Sequence, residues 1–286
     1  MLVIVGAIVV LASVAVGYGL NGGHFSVLFQ YTEFIIILGA AVGSFIMGNT
    51  KTNIKATMKG MKRALKGPTY KKADYIELLS VQYQLFRLAK TKGMLALEQH
   101  IEKPDESALF AAFPKVQHNH HAVEFLCDYL RMMTLGTENA NEVETLIDAE
   151  LEAHHQEQHN AAHAVQLMAD GMPALGIVAA VLGVIHTMGS ITEPPEVLGH
   201  LIGAALVGTF FGVLMSYGLV APLGGAIAGV DNADSKYFQC IKAGLLAHMQ
   251  GYPPAVSIEF ARKMLWSSDR PSFYEVEEAV SALPAV

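Results

Sequence analysis

Between residues 171 and 224 the sequence has no lysine, arginine or aspartate, and residues 1–50 have no lysine or arginine. A water-soluble domain cannot leave such long stretches so poor in charge, because its outer surface must stay hydrated. A soluble enzyme is thereby excluded. Cysteine is nearly missing too: Cys127 and Cys240 are the only two. Both fall in basic segments, where thiols stay reduced. Neither a disulfide framework nor a cysteine-based metal site is therefore supported, and both cysteines are expected to be ordinary buried thiols. The chain has no Gly-rich phosphate loop after a strand, no G-x-S-x-G nucleophile turn and no paired carboxylates in a plausible pocket, so no enzymatic activity is expected.

Apolar residues make up 52% of the sequence and charged ones only 16%, with a mean hydropathy of +0.36. These values belong to membrane proteins. This central stretch reads GMPALGIVAAVLGVIHTMGS, then ITEPPEVLGH, then LIGAALVGTFFGVLMSYGLVAPLG. Two apolar runs of spanning length flank a short turn holding Glu193 and Glu196, which predicts a transmembrane helical hairpin. Each run carries a proline near its end away from the turn, Pro173 and Pro222. The two are expected at one level of the membrane. Residues 1–20 form a further apolar run with no basic segment before it and no cleavage site after it, which reads as a retained helix rather than a signal peptide. Another run extends from Tyr31 to Met47.

All 19 Lys and Arg fall in Lys51–Arg131 or Lys236–Arg270, so the positive-inside rule puts both stretches in the cytoplasm. The cluster Lys51–Lys66 reads as a topology and lipid-headgroup anchor rather than a nucleic-acid site. Residues 21–32 then form an outside turn. Glu33, the lone charge of the first fifty residues, stands at its mouth, as an interfacial carboxylate in water or as an ion-attracting or partner-contacting group. The expected fold is all-α: a polytopic membrane protein with four transmembrane helices and a helical cytoplasmic domain. Its segments are 1–50, 51–170, 171–224 and 225–286, with both termini cytoplasmic. Within 51–170, apolar residues at helical spacing predict an amphipathic helix ending near Gly93. Further helices are predicted to end at Pro104 and Gly136, and a long one to run from about Asn141 into the third membrane helix.

Candidate chemistry is sparse. His155, His159 and His163 recur every four residues on one helix face, a spacing that can hold zinc. Glu152, Gln156, Glu157 and Gln158 between them give the string the look of a solvated face, so no metal and no cofactor are expected. His186 is either a proton relay or an interfacial histidine. Gly199 with Gly203, and Gly208 with Gly212, form small-xxx-small pairs suited to close helix packing. At 1.5 Å per residue, Ala180 lies about 10 Å above Pro173 and Thr209 about 20 Å above Pro222. Both are candidates to line an ion path near mid-membrane. No Asp or Glu is expected within the membrane core, so an ion-conducting role requires a partner that supplies one.

The strings GSFIMGN (43–49), KGMLALEQHIEKPDESALFAAFP (92–114), MPALGIVAAVLGVIHTMGS (172–190), LIGAALVGTFFGVLMSYGLVAPL (201–223) and GYPPAVSIEFARK with DRPSF (251–263, 269–273) resemble the MotA family of flagellar motor stator proteins. The resemblance covers essentially the whole chain. It implies an ion-driven, torque-generating complex in the bacterial inner membrane. The implied partner is MotB, which supplies the ion-binding Asp, in an arrangement of five chains around a MotB dimer. The apolar Ala180 implies protons rather than sodium. The family's two torque-linked prolines match Pro173 and Pro222. Its rotor-facing pair, which engages FliG, matches Glu98 and, with Lys in place of the usual Arg, Lys90. That departure loses the planar guanidinium fork, and Arg87 is a nearby candidate to share the contact. Two alternatives stand beside this reading: an ExbB or TolQ type motor subunit, and a membrane scaffold or transporter with no rotary partner.

Overall fold

The computed structural model describes residues 2–137 and 139–284, so positions 1, 138, 285 and 286 of the segments expected above lie outside it. Among the described residues all regular structure is helical. Four helices are long and apolar enough to cross a membrane. The chain forms two compact units, Met1–Gly67 with Gln156–Asp231, and Pro68–His155 with Asn232–Val286. The boundaries at 155 and 231 fall inside the helices Ala140–Met188 and Ala221–Met249. Residues 51–67 and 156–170 thus group with the spanning helices.

In the first unit, the helix Leu2–Leu20 is apolar all round and buries none of its residues within this chain. After a one-turn helix, Phe25–Leu28, comes Tyr31–Met47. Asn49 marks its exit, donating Nδ2 to the Phe45 carbonyl at 2.8 Å. Thr50 then caps the basic helix Lys51–Lys66 by accepting from Asn53 N at 3.2 Å. Gly67, at φ 92°, ends that helix in a conformation that favours glycine. Ala64 packs with Ala162, Val165 and Ile227, and beside them Arg63 pairs with the buried Asp231.

Between the third and fourth spanning helices the backbones nearly touch. A Cβ on Gly176 would stand 2.8 Å from the Gly208 carbonyl oxygen, one on Gly212 2.7 Å from that of Met172, and one on Gly183 2.6 Å from Ala205 Cβ. Only small residues allow this approach, which is how membrane helices gain packing energy where lipid removes the hydrophobic drive. The expected pair Gly208 and Gly212 lies in this seam, Gly208 against Ala179 and Ala180 and Gly212 against Met172 and Gly176. The expected pair Gly199 and Gly203 does not: Gly199 meets nothing within 4 Å, and Gly203 meets only Val27 Cγ1, at 4.0 Å.

The same register corrects the placement of the prolines. Pro173 follows Met172, which faces Gly212, whereas Gly224 faces the Ala162 carbonyl and Gln166 N at 3.5 Å. Pro222 therefore lies near the level of Gln166, about two turns or roughly 10 Å along the axis from Pro173. The hairpin folds about the turn near Glu193, and Pro222 stands farther along its arm than Pro173 does.

The second unit is a helical domain around Leu78, Leu85, Phe86, Leu97, Phe110, Leu126, Leu130, Ile147, Tyr237 and Leu245. Its helix Lys72–Lys92 ends at Gly93 and His120–Thr134 closes at Gly136, with φ of 86° and 93°. Ser272 and Glu275 form a capping box at the start of Phe273–Ser281. Both cysteines are free and buried here, and burial pushes the Cys127 thiol up to about 12.

The glycine seam predicts an asymmetric response. Gly212→Leu is expected to lower the stability of the detergent-solubilised protein by about 1–3 kcal/mol or more. Gly225→Ala, where no atom lies within 4 Å, should stay within roughly 0.5 kcal/mol. Thermal unfolding of the two variants checks this.

Candidate functional site

Proline removes a backbone donor, and its ring collides with the carbonyl four residues back. Pro173 stands inside the continuous helix Ala140–Met188 and is half-buried. Pro222 stands near the start of Ala221–Met249 and is exposed. Ahead of Pro222, residues Leu214–Val220 form a π-helical stretch, in which the Ala221 N–H donates to the Ser216 carbonyl. A π turn lets the chain pass a proline without ending the helix, and such turns mark points where a helix can change register.

Above the prolines, three elements converge on Gly208. A Cβ there would stand 2.7 Å from Glu33 Oε2, 3.1 Å from Ala179 Cβ and 3.2 Å from Ala180 N. Thr209 follows directly in the chain, its Cα 3.3 Å from where a Cβ on Gly176 would lie. The two expected path residues, Ala180 and Thr209, are thus brought to one level. Glu33 joins them, and this corrects the reading of Glu33 as a carboxylate in water. It is only 7% exposed, and its Oε2 has no hydrogen-bond partner among the described residues. It also corrects the expectation that the spanning helices hold no buried carboxylate. Only part of the signal is local, a charge at the start of an apolar helix; the glycines that leave room for it, Gly183 and Gly208, lie far along the chain.

In the second unit, Arg87 and Lys90 lie on the helix Lys72–Lys92 and Glu98 on Leu95–Ile101. Lys90 and Glu98 are exposed. Arg87 is half-buried: its Nη2 donates to Gln84 Oε1 at 3.2 Å and to the Pro284 carbonyl, and its guanidinium lies 5.6 Å from the centroid of the Tyr83 ring. His248 stacks on Phe86 with centroids 4.5 Å apart. Burial lowers its pKa to about 4, and the Lys90 charge adds to that shift.

His154 packs against His121, centroids 4.4 Å apart, and against Phe238, while His159 and His163 stack at 5.8 Å. Among the described residues no group of three or more His, Cys, Asp or Glu side chains is placed to hold one metal ion. His186 is exposed on the third spanning helix.

The depressed pKa of His248 sets a pH dependence. The folded domain favours neutral His248, so the stability it contributes is full above the unfolded value near 6.5 and is lost as pH falls toward about 4. Acidification from pH 7 to pH 5 is expected to cost roughly 1–2 kcal/mol. Substitution by Gln should flatten that part of the profile, as measured by unfolding at several pH values.

Comparison with known proteins gives a consistent set of likenesses. The motility protein A N-terminal family matches residues 4–93, and the MotA/TolQ/ExbB proton channel family matches residues 117–229. Motility protein A of Escherichia coli is 43% identical, over 99% of this chain and 96% of its own. The flagellar MotAB stator complex of Bacillus subtilis contains a chain similar in structure, with a TM-score of 0.71 and 25% identity, over 90% of this chain and 92% of that one. A chain of MotAB from C. jejuni shares the fold at a TM-score of 0.77 and 22% identity, over 94% and 98%.

Proposed function

We propose a mechanism from one premise: the chain belongs to the motility protein A family, the membrane-embedded subunits of flagellar stators within the MotA/TolQ/ExbB proton channel family. The observation that carries the reading is the full-length likeness to motility protein A. In it the chain works in the bacterial inner membrane with both termini in the cytoplasm. Its partner is MotB, and five copies surround a MotB dimer. MotB supplies the ion-binding Asp beside the level where Ala180, Thr209 and Glu33 meet. The buried position of Glu33 supports a second carboxylate on that path, contributed by this chain, and the apolar Ala180 favours protons.

Ion passage changes the charge of the partner's carboxylate, and Pro173 and Pro222 let the two helices answer by bending or shifting register. The chain passes between its two compact units within the helices Ala140–Met188 and Ala221–Met249, which carry these prolines. Rotor contact falls to Lys90 and Glu98, the exposed members of the candidate set, against charges on FliG. Arg87, tied to Gln84 and Pro284, holds the surface from behind.

Two experiments test this. In a strain lacking its native copy, the wild-type gene is expected to restore swimming independently of sodium at fixed pH. Pro173→Ala, at normal protein level, is expected not to restore it. Full motility without the protein sinks the reading. Glu33→Gln is expected to leave the protein in the membrane but to cut proton influx roughly tenfold, the factor that about 1.4 kcal/mol of added barrier gives. A pH-sensitive dye in the cytoplasm reads that flux.

A further inference from the structure

The carbonyl four residues before Pro173 is that of Ala169, and Pro173 has no N–H to give it. Ala169 is wholly buried, so water cannot serve in its place. The partner comes from the next helix: Ser216, also wholly buried, donates its Oγ–H to the Ala169 oxygen at 2.6 Å. Hydroxyls inside helices ordinarily bond back to their own helix. Ser44 does so to the Ala41 carbonyl at 2.9 Å and Thr187 to that of Gly183 at 2.9 Å. Ser216 crosses instead.

Its own place in the chain is also unusual. Ser216 lies within the π stretch Leu214–Val220, and its carbonyl accepts the five-residue bond from Ala221, directly before Pro222. Pro222 cannot serve the Gly218 carbonyl, for the same reason that Pro173 cannot serve that of Ala169. One serine therefore touches both proline defects, through its side chain to one and through its backbone to the other. It stands between their levels, where Val10 of the first spanning helix also reaches Gly218, a Cβ there lying 3.1 Å from Val10 Cγ1.

We propose that Ser216 is a positioning residue that latches the third spanning helix to the fourth, its hydroxyl standing in for the N–H that Pro173 lacks. A register shift of the fourth helix at its π stretch withdraws that hydroxyl and leaves Ala169 without a partner. The pair of helices then has two discrete arrangements rather than a continuous range. The claim that this latch opens during the torque step rests on the role of Pro173 proposed above. The hydrogen-bond claim does not.

The test is a double-mutant cycle on the chain purified in complex with its partner subunit, comparing wild type, Ser216→Ala, Pro173→Ala and the double variant. Ser216→Ala is expected to lower the thermal midpoint by about 2–4 °C in the wild-type background, the range one lost buried bond gives in a chain of this size. In the Pro173→Ala background the shift should fall below half of that, because the substituted residue supplies the N–H that proline lacks. Ser216→Thr, which keeps the hydroxyl, should restore the wild-type midpoint. Should the alanine variant not accumulate, Ser216→Cys, a weaker donor of similar shape, replaces it in the cycle. Equal shifts in the two backgrounds, or no shift in the wild type, overturn the proposal. A motility assay separates the two readings: Ser216→Ala is expected to lose at least half the swimming speed, with Ser216→Thr recovering it. If Pro173→Ala swims normally while the thermal cycle still shows coupling, the torque role of the proline fails and the latch stands.

Discussion

A backbone carbonyl buried in a membrane helix has no water to fall back on, and the first unit of this chain is built around that constraint. Two prolines break the ladders of the third and fourth spanning helices. The loss is repaired within the fourth helix by a π turn, and in the third by a hydroxyl from its neighbour. The second repair is possible only because the two backbones run in near contact, which Gly176, Gly183, Gly208 and Gly212 permit. Any bulk in that seam separates the donor from the acceptor. Helix packing and the tolerance of the prolines are therefore one property rather than two.

The same small residues explain how a carboxylate is accommodated. A buried charge in a low-dielectric setting is costly unless it is partnered or kept neutral. Glu33 nevertheless enters the seam, its Oε2 lying where a side chain on Gly208 would begin and its Oε1 3.7 Å from where a Cβ on Gly183 would lie. Space made by glycine for close packing is also space for an ionisable group. That group arrives at Gly208, beside Ala180 and away from the broken backbones, so the proposed ion path and the proline defects occupy neighbouring levels of one helix pair.

Much of this architecture was legible in the sequence. Apolar runs of spanning length gave four helices, and Gly93 and Gly136 gave helix ends that the backbone confirms with positive φ. Gly208 and Gly212 declared themselves by spacing. Pairwise register did not. Spacing within one helix says nothing about which residue faces it from another, so Gly199 and Gly203 were indistinguishable from the pair that packs, and the prolines were placed level when they are two turns apart. Glu33 was misread for the same reason: its burial is set by glycines some 150 or more positions later in the chain. Ser216, one hydroxyl in an apolar run, carries no pattern at all until the Ala169 carbonyl is seen opposite it.

The exposure of Lys90 and Glu98 fits the rotor contact proposed above on energetic grounds. Moving one charge across the membrane is worth about 2.3 kcal/mol per 100 mV. An exposed pair of Lys90 or Glu98 with a rotor charge is worth roughly 0–1 kcal/mol, and a single buried hydrogen bond about 1 kcal/mol. In the proposed mechanism one ion per step is therefore enough to break one internal bond and exchange one or two surface contacts. A buried, bidentate rotor contact would cost about 3–5 kcal/mol to break and would stall a device driven by single ions. Lysine at position 90, with a compact and well-hydrated charge, would make the looser contact that the proposed cycle requires. Arginine, the stronger binder, sits three residues earlier with its guanidinium already committed to Gln84 and Pro284.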